Sequence, residues 1–157
     1  MFVERIFTRL TRGAAKVEHQ RVRVVAGSGI EGDRYFDCHD EPGQNVTFIE
    51  AEELERFADE HARARDFSVT GRNIVTRGVR LNELVGREFV VGGVRFRGVE
   101  LCEPCRKFGN ALAGPDIACA RIVKLWVHRA GLRADALSSG EFSVGSRIEI
   151  AAAIDHA

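Results

Sequence analysis

The residues best suited to chemistry lie in Leu101-Cys102-Glu103-Pro104-Cys105-Arg106-Lys107-Phe108, where two thiols flank a Glu-Pro pair and are followed by two cations. With Pro104 opening a helix, Cys105 falls in the first turn, where the helix dipole, Arg106 and Lys107 favour the thiolate. A thiolate ligates soft metals and attacks electrophiles. Three chemistries suit the spacing. C-x-x-C is the spacing of a redox pair, although the βαβ context of thioredoxin-like domains is missing. Cys102, Cys105, Cys119 and His128 offer donors for a structural zinc ion, although no second C-x-x-C follows. A single thiolate, Cys105, could hold a heavier redox metal or carry a sulfur atom. Packing of Cys102 on the apolar face of a strand, with Cys105 beneath it, is the alternative without chemistry.

Other segments carry weaker signals. In Ser28-Gly29-Ile30-Glu31-Gly32-Asp33-Arg34-Tyr35, the two inner glycines permit a close backbone approach to a ligand, and Arg34 can grip a phosphate or carboxylate with two prongs. A turn capped by Asp33 explains the same residues. In Gly71-Arg72-Asn73-Ile74-Val75-Thr76, Asn73 offers donors and an acceptor for the edge of a heterocycle and Arg72 offers charge, while a turn followed by a strand fits equally well. Arg129 is a candidate anion ligand, although a helix ending at Gly131 already accounts for cations there. His19, His39, His61 and His156 are scattered without metal-ligand pairing and receive no role. The acids Glu50, Glu52, Glu53 and Glu55 read as a solvated helix face. Walker, G-x-G-x-x-G and nucleophile-elbow motifs are absent.

These residues must be positioned mainly by strands. Short alternating runs predict strands over Phe2–Phe7, Arg21–Val25, Val46–Ile49, Glu88–Val91, Val94–Leu101, Leu132–Leu137 and Ile148–Ile150. Gly92-Gly93 predicts a tight hairpin and Ser139-Gly140 a further turn. Amphipathic spacing predicts a surface helix over Glu50–Ala64, and the dense apolar residues of Asp116–His128 predict a buried helix, with a strand as the alternative that periodicity leaves open. The expected fold is mainly β with flanking helices (α+β), its strands mixed or mainly antiparallel, closing as a barrel. A doubly wound nucleotide-binding fold does not fit.

The chain's 157 residues describe one compact domain, 1–157, and its 23 Lys+Arg balance 23 Asp+Glu, which argues against nucleic acid as a partner. Neither a signal peptide nor an apolar stretch approaching the ~18 residues of a membrane helix is present, so no membrane partner and a cytoplasmic location are expected, with the four cysteines as free thiols. Neutrality hides an uneven distribution. Residues 71–133 hold 12 Lys+Arg against five Asp+Glu, and residues 41–66 hold three against eight. The positive stretch contains Arg72, Cys105, Lys107 and Arg129 and suits a small anionic ligand better than a polyanion.

Taken in order, Gly29-Ile30-Glu31-Gly32-Asp33-Arg34-Tyr35, Asn73-Ile74-Val75-Thr76, Gly78-Val79 to Leu84-Val85-Gly86, Pro104-Cys105 with Lys107-Phe108, and Gly131-Leu132-Arg133 resemble the MOSC family, the C-terminal domains of molybdenum cofactor sulfurases. The resemblance runs from about residue 3 to about residue 150. It implies a MOSC-type β-barrel and a pterin-bound molybdenum cofactor whose metal takes a thiolate ligand from the residue matching Cys105. Arg34 and Asn73, on matched motifs, and Arg72 and Lys107, on their position, are the candidates for holding the cofactor. The resemblance further implies a small stand-alone member without a pyridoxal-phosphate domain. Its expected activity is reduction of N-hydroxylated or N-oxygenated small molecules, with electrons from a separate protein. The alternatives are a persulfide carrier, with Cys105 loaded by a sulfur donor to sulfurate the cofactor, and a zinc-stabilised binding module without catalysis. Cys102 is a second thiol that the resemblance does not require. The Asp37–Pro42 loop is a further candidate for the pocket wall.

Overall fold

The computed structural model describes residues 1–152, so His156 lies outside the described residues. Strand β1 (Phe2–Thr8) is followed by β2 (Val17–His19), β3 (Arg21–Val25), β4 (Gly29–Ile30) and β5 (Val46–Glu50). Helix α1 (Ala51–Glu60) leads into β6 (Ile74–Arg77), a 3-10 turn at Leu81–Leu84, β7 (Glu88–Val91) and β8 (Val94–Leu101). Two short helices, α2 (Arg106–Leu112) and α3 (Cys119–Leu125), precede β9 (Leu132–Ala136), β10 (Gly140–Ser143) and β11 (Ile148–Ile150). Eight strands form one sheet in the order β11-β7-β8-β9-β5-β6-β1-β2, and β10-β3-β4 form a second. Neighbours are antiparallel except β5 and β6, which are parallel because α1 carries the chain across. The mainly β, α+β barrel expected from the sequence is the fold observed, and no helix among the described residues is long and apolar enough to cross a membrane.

The two sheets curl round one core. β8 sends Val94 and Phe96 inward and Arg95 and Arg97 outward, and β3 does the same with Val22 and Val24 against Arg21 and Arg23. At the centre, the rings of Phe48 and Phe96 meet edge to face at 5.4 Å, with Phe89 at 5.4 Å from Phe48 and Phe142 at 6.2 Å from Phe96. Each such pair is worth about 0.5–1.5 kcal/mol beyond its buried area. Strands β1, β5 and β6 are covered on both faces. Ile6, Phe48 and Ile74 point into the barrel, while their neighbours Phe7, Ile49 and Val75 join a second core with Phe57, Phe108 and Trp126 from the helices. These strands therefore read as continuous apolar runs.

Three expectations change. The first helix stops at Glu60, because Ala62 takes a positive φ of 49°, and the second predicted helix covers only Cys119–Leu125. The acids of α1 are not a solvated face. Glu50 and Glu53 are buried; Glu50 accepts the Leu81 N–H, Glu53 pairs with Arg129 at 2.7 Å, and Glu55 pairs with Arg77 at 2.5 Å. Their partners lie on elements distant in sequence. Gly92 and Gly93 both take positive φ, as the primed hairpin turn requires. Ser139-Gly140 instead marks the passage of the chain to the second sheet, where β10 pairs with β3.

Candidate functional site

Strand β8 delivers Glu100 and Leu101 to the rim of a cavity of about 690 Å³, and the chain then lays Cys102, Glu103 and Cys105 along its wall before entering α2. The Cys102 N–H donates to Gly131 O at 2.8 Å, tying this segment to the start of β9. Gly131 is indispensable there. Its φ is +112°, and a Cβ would lie 2.0 Å from Phe48 O.

Cys105 is the N-cap of α2, with extended backbone (φ −113°, ψ 178°), and its carbonyl accepts the Gly109 N–H. It lies one residue before the first turn in which the sequence placed it, because Pro104 precedes the cap. The thiol is exposed. No cap hydrogen bond closes on its sulfur, but the nearby Phe108 N–H is the main influence holding the thiol below the usual cysteine range. Partial burial opposes this, and the Lys107 N–H and the Arg72 guanidinium reinforce it. Cys102 is the opposite case, since burial pushes its thiol up, only partly offset by Arg72 and Arg133. One cavity wall thus carries an accessible, thiolate-prone sulfur and a protonated one.

All five sequence candidates, Arg34, Arg72, Asn73, Cys105 and Lys107, line this cavity. Arg72 Nε donates to Ala130 O at 2.9 Å and the guanidinium lies 5.2 Å from the centre of the Phe108 ring, which fixes the charge beside the thiols. Arg34 lies over the Tyr35 ring at 4.5 Å and donates to its hydroxyl. Asn73 differs from its expected role as an edge reader. Its Oδ1 accepts the Thr47 N–H and hydroxyl, both at 3.1 Å, and its Nδ2 donates to Phe7 O and Asp33 Oδ1 at 3.1 and 3.2 Å. The buried amide is fully used in joining β1, β5 and the Asp33 loop.

The cavity also takes Arg9, Lys16 and Arg133, which local sequence reading did not select as site residues. Thr8 pairs with Val17 in the β1–β2 ladder, so Arg9 and Lys16 begin the two arms of the connecting loop. Lys16 donates to Ser68 O, and burial, with Arg9 next in weight, holds its ammonium below the usual lysine range. Arg133 is committed to Glu41 and Glu100, each at 2.7 Å. Among the described residues, Arg9, Lys16, Arg34, Arg72 and Lys107 line the cavity without an ion pair, whereas its acids Glu41, Glu100 and Glu103 are paired and Asp33 is bound by the Arg9 and Tyr35 N–H groups and Asn73. The wall also holds Gln44 Oε1, buried and without a hydrogen-bond partner.

Other candidates do not reach the site. Arg129 is held by Glu53 and lies against Trp126. Gly29 and Gly32 do not line the cavity; the close approach at Gly29 is to Asn45 O, 2.8 Å from where its Cβ would stand. Of the Asp37–Pro42 loop, only Glu41 lines the wall, followed by Gly43 and Gln44. The zinc set does not assemble, since Cys119 Sγ donates to Arg106 O and His128 pairs with Glu103, and no group of three ligating side chains is gathered among the described residues.

A family model described as "MOSC domain" matches residues 36–149. The fold is similar to the crystal structure of the YuaD protein from Bacillus subtilis, with a TM-score of 0.80 at 18% identity over 94% of this chain and 93% of that one. It is also similar to YiiM from Escherichia coli, with a TM-score of 0.67 at 18% identity over 98% of this chain and 71% of that one. YiiM from Geobacillus stearothermophilus gives a TM-score of 0.67 at 13% identity over 96% and 75%. No curated protein sequence matches the chain significantly.

Proposed function

Because the chain belongs to the MOSC domain family, we propose that its cavity binds a pterin molybdenum cofactor through Cys105 and that the protein reduces N-hydroxylated or other N-oxygenated small molecules. The observation that carries this reading is the joining, in one cavity, of an accessible thiolate-prone Cys105 with five cations lacking ion pairs. The donor set fits the group. Sulfur is a favoured ligand for a soft redox metal, and a pterin with a phosphate tail is an anion that needs countercharge. A bound pterin-dithiolene molybdenum centre supplies two-electron oxygen-atom transfer.

The chain's own residues then divide the work. Cys105 Sγ offers the metal ligand, kept available by the backbone N–H groups and Arg72. Cys102 is buried and its thiol is pushed up, which favours Cys105 over it as the ligand. Arg34 and Lys107, with Arg9 and Lys16, supply countercharge for the anionic tail, and Arg72 stands beside the thiols. Asn73 serves as the brace that holds the floor of the cavity. Gln44 adds an amide without a protein partner, which a bound ligand can satisfy.

The presence of Cys102 on the same wall supports a second reading, in which Cys105 carries a persulfide delivered by a sulfur donor and passes it to the cofactor. Protein purified from a host that makes the cofactor separates the two. The reductase reading expects conversion of a hydroxylamine to its amine with a reduced viologen as donor. Cyanide-labile sulfur without such turnover would replace it with the carrier reading.

A further inference from the structure

Helix α2 lends Lys107, Phe108 and Ala111 to the cavity wall, α3 packs against α2, and the charged residues of both helices are all cations. Arg106 and Lys107 lie on α2, Arg121 and Lys124 on α3, and neither helix contains an acid. All four are exposed, and none makes an ion pair among the described residues. Helix α1 shows the contrast, with five acids beside a single arginine, most of them paired to neighbouring cations. Arg106 and Lys107 stand in the first turn of their helix, where the dipole disfavours positive charge. Helix stability therefore does not account for their placement.

Arg106 follows Cys105 directly, and α3 packs against the helix that Cys105 caps. At one end of α3, Cys119 Sγ donates to Arg106 O at 3.5 Å, and Gly109 abuts Cys119 and Val123. Beyond the other end, the His128 N–H and ring hold Glu103, which lines the cavity. Helix α3 thus runs beside the 103–109 segment, with Val127 exposed to 45% next to His128. A cationic rim around an apolar contact is the form of surface that steers and seats an oppositely charged protein.

We propose that the α2–α3 face docks an acidic electron-transfer protein, with Arg106, Arg121 and Lys124 as its recognition residues. The proposal rests on the reductase reading, which needs electrons from outside the cavity. For a hydroxylamine the balance is R–NHOH + 2 e⁻ + 2 H⁺ → R–NH₂ + H₂O. The N–O bond breaks, nitrogen is reduced, the oxygen leaves as water, and two molecules of a reduced one-electron carrier are oxidised. An acidic carrier meets the rim beside Cys105, which shortens the electron path. A nucleic acid fits less well, because the chain as a whole is neutral.

The test uses a reduced acidic [2Fe–2S] ferredoxin as probe and the double variant R121E/K124E, with R87E/R97E as a control of equal charge change and circular dichroism to confirm folding. Surface plasmon resonance at about 20 mM and about 200 mM salt is expected to show binding that weakens with salt. The double variant is expected to bind at least ~10-fold more weakly, with the salt dependence flattened, and the control to bind like the parent. Turnover driven by ferredoxin is expected to fall in parallel, while turnover driven by reduced methyl viologen stays unchanged. Equal binding by parent and double variant, an equal loss in the control, or tighter binding to a 20-base-pair DNA duplex than to ferredoxin would overturn the proposal. Binding is measured whether or not the protein turns over, so absence of viologen-driven turnover would count against the reductase reading alone.

Discussion

Replacing Asn73 by Ala removes an amide that makes four hydrogen bonds inside the protein, two accepted from Thr47 and two donated to Phe7 O and Asp33 Oδ1. The Thr47 N–H and Phe7 O lose this partner in the wall of the cavity, and the Asp33 carboxylate loses one of its three donors. A neutral hydrogen bond contributes about 1 kcal/mol net and one to a charged group about 1.5–3 kcal/mol, so the variant should lose roughly 3–5 kcal/mol. For a domain of this size that corresponds to a fall in Tm of roughly 6–20 °C. Asn73→Asp should lose more at neutral pH, because it sets a second carboxylate against Asp33. Urea unfolding followed by far-ultraviolet circular dichroism measures the difference. A loss of under about 1 kcal/mol in Asn73→Ala would refute the brace and return Asn73 to the ligand-facing role suggested by its residue type.

Arg72→Met should raise the pH midpoint of Cys105 alkylation by iodoacetamide and slow the reaction at neutral pH, because the cation helps keep the thiol below its usual range; an unchanged midpoint would contradict this. His61 and Arg63 hold the Asp116 carboxyl down to about 2, below its value near 4 in the unfolded chain. Its contribution to stability is therefore present above about pH 4 and is lost as pH falls towards 2. The stability gap between the parent and Asp116→Asn should close over that window, and a gap that widens there would reverse the assignment. Gly131→Ala should cost at least about 3 kcal/mol or prevent folding, since its Cβ would stand 2.0 Å from Phe48 O at a φ of +112°; a Tm within a few degrees of the parent, read by thermal melting, would show that the approach is not as tight.

The parts of the fold legible in the sequence are those whose cause is local. Val94 and Phe96 alternate with Arg95 and Arg97 because β8 has one buried face, and Gly92-Gly93 announces its turn by residue type. Cys105 was legible for the same reason, since the proline before it and the cations after it are neighbours in the chain. Arg9 and Lys16 were hidden because their place depends on the Thr8–Val17 register. Arg133 reaches the wall only after β9 pairs with β8. The pairing of Arg129 with the α1 acids is not legible locally, because Arg129 and Glu53 are 76 residues apart and each looks free without the other. Asn73 shows the limit of reading residue types: an amide suited to a heterocycle edge is equally suited to joining two strands.

The measurement that bears most directly on the central claim is the molybdenum and pterin content of the parent, Cys105→Ala and Cys102→Ala, all purified from a host that makes the cofactor. Close to one molybdenum with one pterin per chain is expected in the parent and in Cys102→Ala, with metal lost from Cys105→Ala. Equal molybdenum in all three would contradict Cys105 as the ligand, and none in the parent would contradict the cofactor assignment itself.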